Sequence, residues 1–348
     1  ARRRDRAPTV ASRLLQRMQA AAPEPVWRQM LERGARLLDL ARRLDAPRAA
    51  DDPARLAPIA RPAPRPPVIL RPTALSVTRI ETLRRDPYAL YAERILDLAP
   101  LDPFEADEEA RELGEGLHAI VARFARDADV IAAADRAALL DRIARDVFAD
   151  RLREAAFRTR DWPRIERILA RFLAWDEARR ADVETLAVET HGALDLTLGD
   201  GASFRLSAVA DRIERQRERV VVVDFKTGEP PGPSDVRAGL FPQLTLEAAM
   251  AARAAFGASF AGVPVVAAYV ELKPDGKEKP AQGATCKRAF ADLAQEHFDG
   301  CVALLTAYRD AATAYPPPAK IARHAPYAHL ARIREWSLGE ADETGEGE

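Results

Sequence analysis

The segment Val220-Val221-Val222-Val223-Asp224-Phe225-Lys226 narrows the possible folds more than any other part of the chain. Four β-branched residues in succession are stiff at χ1 and favour extended backbone. An apolar run of that kind, with no polar alternation, predicts a strand buried on both faces in the middle of a sheet. Each face of that sheet then needs a cover. Hydrophobic residues make up 47% of the 348, and aromatics only 6%. Alanine is abundant, so the cover is expected to be helical and the chain to build a substantial mixed α/β core.

Further strands are predicted over Leu186–Leu198, Ser203–Ile213 and Val263–Leu272. In the second of these Phe204, Leu206, Ala208 and Ala210 share a face. Helices are predicted over about 106–127, 131–157 and 162–180, then from Ser234 with Pro242 in the first turn of a helix to Phe256, and over 284–312. Gly114 and Gly116 lie inside the first of these, where glycine is unfavourable, so a close approach by another backbone or a ligand is expected there. Thr78-Arg79-Ile80-Glu81 has the spacing of a capping box.

The segment 1–60 reads as helical, with Leu14, Leu15 and Met18 on one amphipathic stretch and Met30, Leu31, Leu37, Leu38 and Leu40 on the next. A proline-rich linker or strap, 61–73, separates it from a main domain over 74–338, and 339–348 reads as an acidic disordered tail. The opening carries no start signal, and the chain is expected to be the tail of a longer polypeptide. Two cysteines, Cys286 and Cys301, placed in a helical stretch, are too few for a four-cysteine zinc or iron–sulfur site. With no signal peptide and no membrane-length apolar run, a cytoplasmic protein that does not enter membranes is expected. The net charge of −1 means that any nucleic-acid footprint must be a local patch.

Chemistry concentrates around Lys226. It is the first of only six lysines in a chain that otherwise uses arginine for positive charge. Arginine cannot release a proton, and its planar fork does not replace a compact ammonium beside a nucleophilic water. A hairpin centred on 217–218 sets Asp211 opposite Asp224, while Asp224 and Lys226 share a face by the strand's period of two. Two facing carboxylates repel unless a cation lies between them, and hard oxygen donors favour Mg2+ or Mn2+. His118 could add an imidazole, and Gln243 could hold a phosphate or the attacking water. Such a set suits phosphodiester hydrolysis. Singly, each piece also fits a plainer role: a solvated Asp-x-Lys ion pair, a surface Asp211–Arg212 pair, a half-buried histidine.

The ordered set Gly114-x-Gly116-x-His118, Ala210-Asp211-Arg212-Ile213, Val223-Asp224-Phe225-Lys226-Thr227-Gly228 and Gln243 resembles the motifs of RecB-type nuclease domains in the PD-(D/E)XK superfamily. Leu75 to Glu81, Asp86-Pro87-Tyr88 and His329 to Trp336 resemble the carboxy-terminal part of AddB-type subunits of AddAB helicase–nucleases. The resemblance implies a restriction-endonuclease-like core with a mixed central sheet flanked by helices. It also implies His118, Asp211 and Asp224 as metal ligands, Lys226 as the catalytic lysine, Gln243 as an auxiliary glutamine, and Mg2+ or Mn2+ as cofactor. Glu189 occupies a strand position where some relatives carry an acid, and is read as structural.

The implied activity is hydrolysis of single-stranded DNA at double-strand break ends, with an AddA-type partner. Segment 1–60 then becomes the tail of a helicase-like region. Alternatives are a silent DNA-binding scaffold bracing that partner, and a free-standing Cas4-like exonuclease, against which the proline strap argues. Arg84, Arg85 and the arginines of 212–219 are candidate phosphate contacts. Two departures stand out. Relatives often carry tyrosine four residues after the glutamine, where this chain has Glu247, and Asp86 replaces a cluster cysteine, so no iron–sulfur cluster is expected.

Overall fold

The computed structural model describes residues 3–4, 7–8, 10–45, 60–101, 108–127, 135–319 and 325–336. The acidic tail 339–348 and the starts predicted at 106 and 131 lie outside them. The chain divides into two compact units, Ala1–Pro58 and Ile59–Glu348. In the first, two-residue strands β1 (Arg3–Arg4) and β2 (Ala7–Pro8) pair antiparallel. Helices α1 (Arg13–Ala21) and α2 (Glu24–Asp45) follow, α1 capped by the Ser12 hydroxyl.

The second unit is built on a six-stranded mixed sheet. Its strands are β3 (Ala74–Ser76), β4 (Val183–Thr197), β5 (Ser203–Gln216), β6 (Val220–Lys226), β7 (Val265–Glu271) and β8 (Glu278–Pro280). The valine strand β6 is central, antiparallel to β5 and parallel to β7, and all four valines are buried. Strand β5 extends three residues beyond the predicted Ile213, because Arg212, Glu214 and Gln216 find buried polar partners that a hydropathy pattern does not reveal. Neither β3 nor β8 was legible, each being only three residues long.

Helices cover both faces. On one side α5 (Glu108–Asp127), α6 (Arg136–Val147), α7 (Ala155–Arg160) and α8 (Trp162–Arg180) pack against Val221, Val223 and Phe225. On the other, α3 (Val77–Arg85), α10 (Gln243–Ala252) and α11 (Phe290–Ala307) pack against Val220 and Val222. Helix α10 is buried all round and rich in alanine, as a helix pressed into a core must be. Short α4 (Pro87–Arg94), capped by Asp86, meets the terminal α12 (Ile333–Trp336) through Tyr88, Ala89, Tyr327 and Trp336. Between β6 and α10 lies α9 (Pro233–Arg237), and Pro242 is the residue before α10 rather than within its first turn.

Several expectations need correction. The cap of α3 is Ser76, whose hydroxyl accepts from the Arg79 amide at 3.3 Å, so Thr78 and Glu81 do not form the capping box. The two helix glycines of α5 face side chains rather than another backbone: a Cβ on Gly116 would come 2.4 Å from the Phe148 ring, and one on Gly114 3.3 Å from Thr227. The helix predicted over 284–312 spans only 290–307, leaving Cys286 outside it while Cys301 is buried within. The proline-rich segment lies as a strap. Arg61 and Arg65 donate to the carbonyls of Pro317 and Ala312, and Tyr315 donates back to Pro64.

Candidate active site

Strand β5 is long enough to carry two neighbours end to end along one edge. β3 pairs with Arg205–Ser207 and β6 with Arg212–Arg215, while β4 runs along the whole opposite edge. Between the two partners β5 has a short open stretch, and Asp211 stands at its end.

Extending the β5–β6 ladder one step past Arg212↔Val223 brings Asp211 level with Asp224, the register expected from a turn at 217–218. Here the backbone ladder gives way, and the Asp211 carboxylate accepts the Phe225 amide at 2.9 Å instead. The face alternation of β5 also slips. Phe204, Leu206, Ala208 and Ala210 share a cluster with Ile213, so the period of two breaks by one residue near Asp211. Its neighbour across β4 is Glu189, at φ +44°, a backbone state uncommon for a residue with a Cβ. Glu189 is ion-paired with Arg126 of α5, which fits a structural part in the kink.

Asp224 and Lys226 point to the α10 side by alternation from Val220 and Val222. The Lys226 ammonium lies 2.8 Å from Asp224 Oδ2, a close ion pair. The Gln243 amide donates to Asp224 Oδ1 at 2.9 Å. His118 reaches the same place from α5, its Nδ1 3.7 Å from Asp211 Oδ2. All five residues singled out in the sequence thus meet at one end of the central strands.

The electrostatics are strained. Asp224 is only 3% exposed, and burial followed by the neighbouring Asp211 charge pushes its carboxyl up to about 6, against the pull of Lys226. Burial works against the Lys226 ammonium, but Asp224 and Asp211 outweigh it and raise its pKa. With no cation beside the carboxylates, Lys226 is held as an ammonium, a compact positive charge next to Asp224.

Sequence reasoning gave no site role to three further groups. Glu247, 1% exposed, lies one helical turn beyond Gln243 and accepts from the same amide at 3.2 Å. Burial and then the Asp224 charge hold its carboxyl well above the usual range. Glu81 of α3, paired with Arg85 at 2.9 Å, is raised by burial and lies in the field of Lys226. Tyr269, directly across from Asp224 on β7, sets its ring 6.0 Å from the Lys226 ammonium. The helical spacing 243/247 was the available signal for Glu247; the other two come from elements distant in sequence.

Arg212 behaves differently from expectation. Arg212 has no exposure and is not a phosphate contact: it pairs with Asp176 at 2.6 Å and Glu214 at 2.7 Å beneath Trp175. The guanidinium turns inward because β5 puts it on the face opposite Asp211, against α8. Arg84 donates to the Ala238 carbonyl, and Arg85 stacks on Phe241 with 4.4 Å to the ring centre.

A divalent cation fits the donor chemistry here, with two carboxylates and an imidazole brought to one place. The carboxyls are at present held by Lys226 and Gln243, and among the described residues no three His, Cys, Asp or Glu groups close to ligand spacing.

The family description "PD-(D/E)XK nuclease superfamily" matches residues 74–328, the sheet and its covering helices. The chain belongs to this superfamily. An uncharacterized protein of Rickettsia bellii is 28% identical over 196 residues, covering 56% of this chain and 23% of that protein. Uncharacterized proteins of Rickettsia conorii and Rickettsia typhi are each 28% identical over 185 residues, covering 51% of this chain and 22% and 21% of theirs. The chain thus spans under a quarter of the length of these curated relatives. The crystal structure of SSO0001 aligns over 66% of this chain and 76% of that one, at 11% identity and a TM-score of 0.26, too weak a likeness to argue from. No helix among the described residues is long and apolar enough to cross a membrane.

Proposed function

We propose that the chain is a divalent-metal-dependent deoxyribonuclease domain that hydrolyses single-stranded DNA. The observation that carries this reading is the meeting of Asp211, Asp224 and Lys226 in the gap between β3 and β6, with Gln243 tied to Asp224. Superfamily membership over 74–328 supports it. His118, Asp211 and Asp224 would hold Mg2+ or Mn2+. That cation, when bound, supplies Lewis-acid polarisation of the phosphoryl oxygen and eases loss of a proton from water.

The chain's own residues do the rest. In hydrolysis a water oxygen bonds to phosphorus, the bond from phosphorus to a sugar oxygen breaks, and one proton passes from water to that leaving oxygen. Lys226, an ammonium by its surroundings, orients the water and offsets charge gathering on the phosphoryl oxygens. Asp224 holds that ammonium, and the Phe225 amide fixes one Asp211 oxygen, so both carboxylates are pre-placed. Gln243 lies beside Asp224, within reach of a phosphate or water there.

At the level of the whole protein, the motif order and the paired terminal elements around Tyr88 and Trp336 support an AddB-type subunit. Such a subunit would work with an AddA-type partner on the strand ending 5′ at a break, in the cytoplasm, during recombinational repair. A silent DNA-binding scaffold is the competing reading, favoured by the engagement of Asp224 with Lys226 and Gln243. Cleavage of 5′-labelled single-stranded and duplex DNA, each with Mg2+, Mn2+ or EDTA, separates them. Metal-dependent cutting that prefers single strands is expected. A folded protein that binds Mn2+ calorimetrically yet cuts neither substrate would support the scaffold.

A further inference from the structure

Glu247 is a costly residue where it stands. It lies in the middle of α10 among Leu244, Leu246, Ala248 and Met250, all fully buried, and its Oε2 has no hydrogen-bond partner. A leucine of similar volume would satisfy the packing without desolvating a carboxyl. Burial at that cost calls for a role outside packing.

The role follows from what Glu247 touches. Gln243 Nε2 lies 2.9 Å from Asp224 Oδ1 and 3.2 Å from Glu247 Oε1. An amide nitrogen carries two donors, and both neighbours are carboxyl oxygens. Flipping the amide would set its carbonyl oxygen against two acceptors and forfeit both hydrogen bonds. With Asp224 alone, a flip would forfeit one. A neutral Glu247 keeps this role with its proton on Oε2, which leaves Oε1 to accept from the amide.

We propose that Glu247 is a positioning residue: with Asp224 it locks the Gln243 side chain so that its carbonyl oxygen faces away from the carboxyls, as an acceptor for the attacking water. Asp224 is anchored in turn, because the Gln243 amide holds its Oδ1 and leaves Oδ2 for Lys226. The spacing of four residues is what makes this possible. Residues i and i+4 lie over one another on a helix, so Glu247 reaches Gln243 without touching the reacting atoms. This inference rests on the nuclease reading above.

The test compares wild type with Glu247→Leu, Glu247→Gln, Gln243→Ala and the double variant Gln243→Ala/Glu247→Leu on single-stranded DNA with Mn2+. Glu247→Leu is expected to lower kcat about tenfold to a hundredfold with KM within about twofold. The double variant should be no slower than Gln243→Ala alone, because Glu247 acts only through Gln243. Glu247→Gln keeps an accepting oxygen and should recover most of the loss. A readout independent of turnover is hydrogen exchange of the Gln243 side-chain amide by 15N NMR, expected to quicken in Glu247→Leu.

A double variant whose loss is the product of the two single losses would overturn the inference. So would a Glu247→Leu protein with wild-type kcat and unchanged Gln243 exchange. A tenfold drop in Mn2+ affinity in Glu247→Leu but not in Gln243→Ala would make Glu247 a ligand instead. Wild-type protein that cuts nothing sinks the nuclease reading itself, which the wild-type arm of the same assay reveals.

Discussion

Asp224 and Lys226 show how a buried pair at the candidate site is held at the expense of stability. The Asp224 carboxyl protonates at about 6 in the fold against an ordinary 3.8, so folding raises its pKa. The protonated form is favoured when folded, and stability falls as pH rises through the range between those values. The ionised carboxyl therefore costs the metal-free protein on the order of 1–3 kcal/mol above pH 6. Asp224→Asn is expected to raise the unfolding midpoint in EDTA at pH 7.5, with the gain vanishing near pH 4. Denaturant melts of both proteins at the two pH values would check this; equal stability throughout would contradict it. Lys226→Arg should not rescue Lys226→Ala in cleavage, since a forked guanidinium does not fit where a compact ammonium sits 2.8 Å from Asp224.

At the scale of elements, one buried and one half-buried arginine hold pieces of the fold together. Arg212 on β5 and Arg179 on α8 share Glu214, and Arg212 also meets Asp176, fastening the helix to the strand that carries Asp211. Burial pushes the Glu214 carboxyl up, but the Arg179 hydrogen bond and both guanidinium charges bring it below its ordinary value. A depressed carboxyl adds stability above its unfolded pKa of about 4.5 and loses it as pH falls below that. Glu214→Gln should therefore destabilise by about 3–5 kcal/mol at pH 7 and flatten the acid limb of the stability curve. Thermal melts from pH 3 to 7 would show it; a variant as stable as wild type at pH 7 would not fit.

Arg71 does the same for the proline strap. It donates to the carbonyls of Pro66, Tyr308, Asp310, Ala311 and Thr313, gathering the orphan acceptors after α11. Arg71→Ala is expected to cost about 2–4 kcal/mol and Arg71→Lys to recover little of it, because an ammonium cannot span five acceptors. Chemical unfolding of both variants tests this, and recovery by lysine would argue against the cage.

Across the whole molecule, what the sequence made legible is what local periodicity encodes. The valine run fixed β6 in the sheet centre, and the polar 214–219 connection fixed a register that puts Asp211 level with Asp224. What stayed hidden depends on contacts between distant segments. Arg212 reads as a surface charge until α8 supplies Asp176, and Glu81 reads as a capping residue until α3 packs beside Lys226. Glu247 stood out as a departure from the family pattern, but its partner role needs the coordinates of Gln243 and Asp224 together. The site itself arises from sheet topology: a long β5 with two short neighbours on one edge leaves the opening at which Asp211 stands.

The gap is then a single proposed catalytic centre assembled from β5, β6, α5 and α10. Its most direct test is the single-turnover cleavage rate of 5′-labelled single-stranded DNA with Mn2+, for wild type, Asp211→Asn, Asp224→Asn and Lys226→Ala, each confirmed folded by circular dichroism. Mn2+-dependent cutting by wild type is expected, with a loss of at least about a hundredfold in all three variants. Cutting that survives in Lys226→Ala and Asp224→Asn would place the chemistry elsewhere and contradict it.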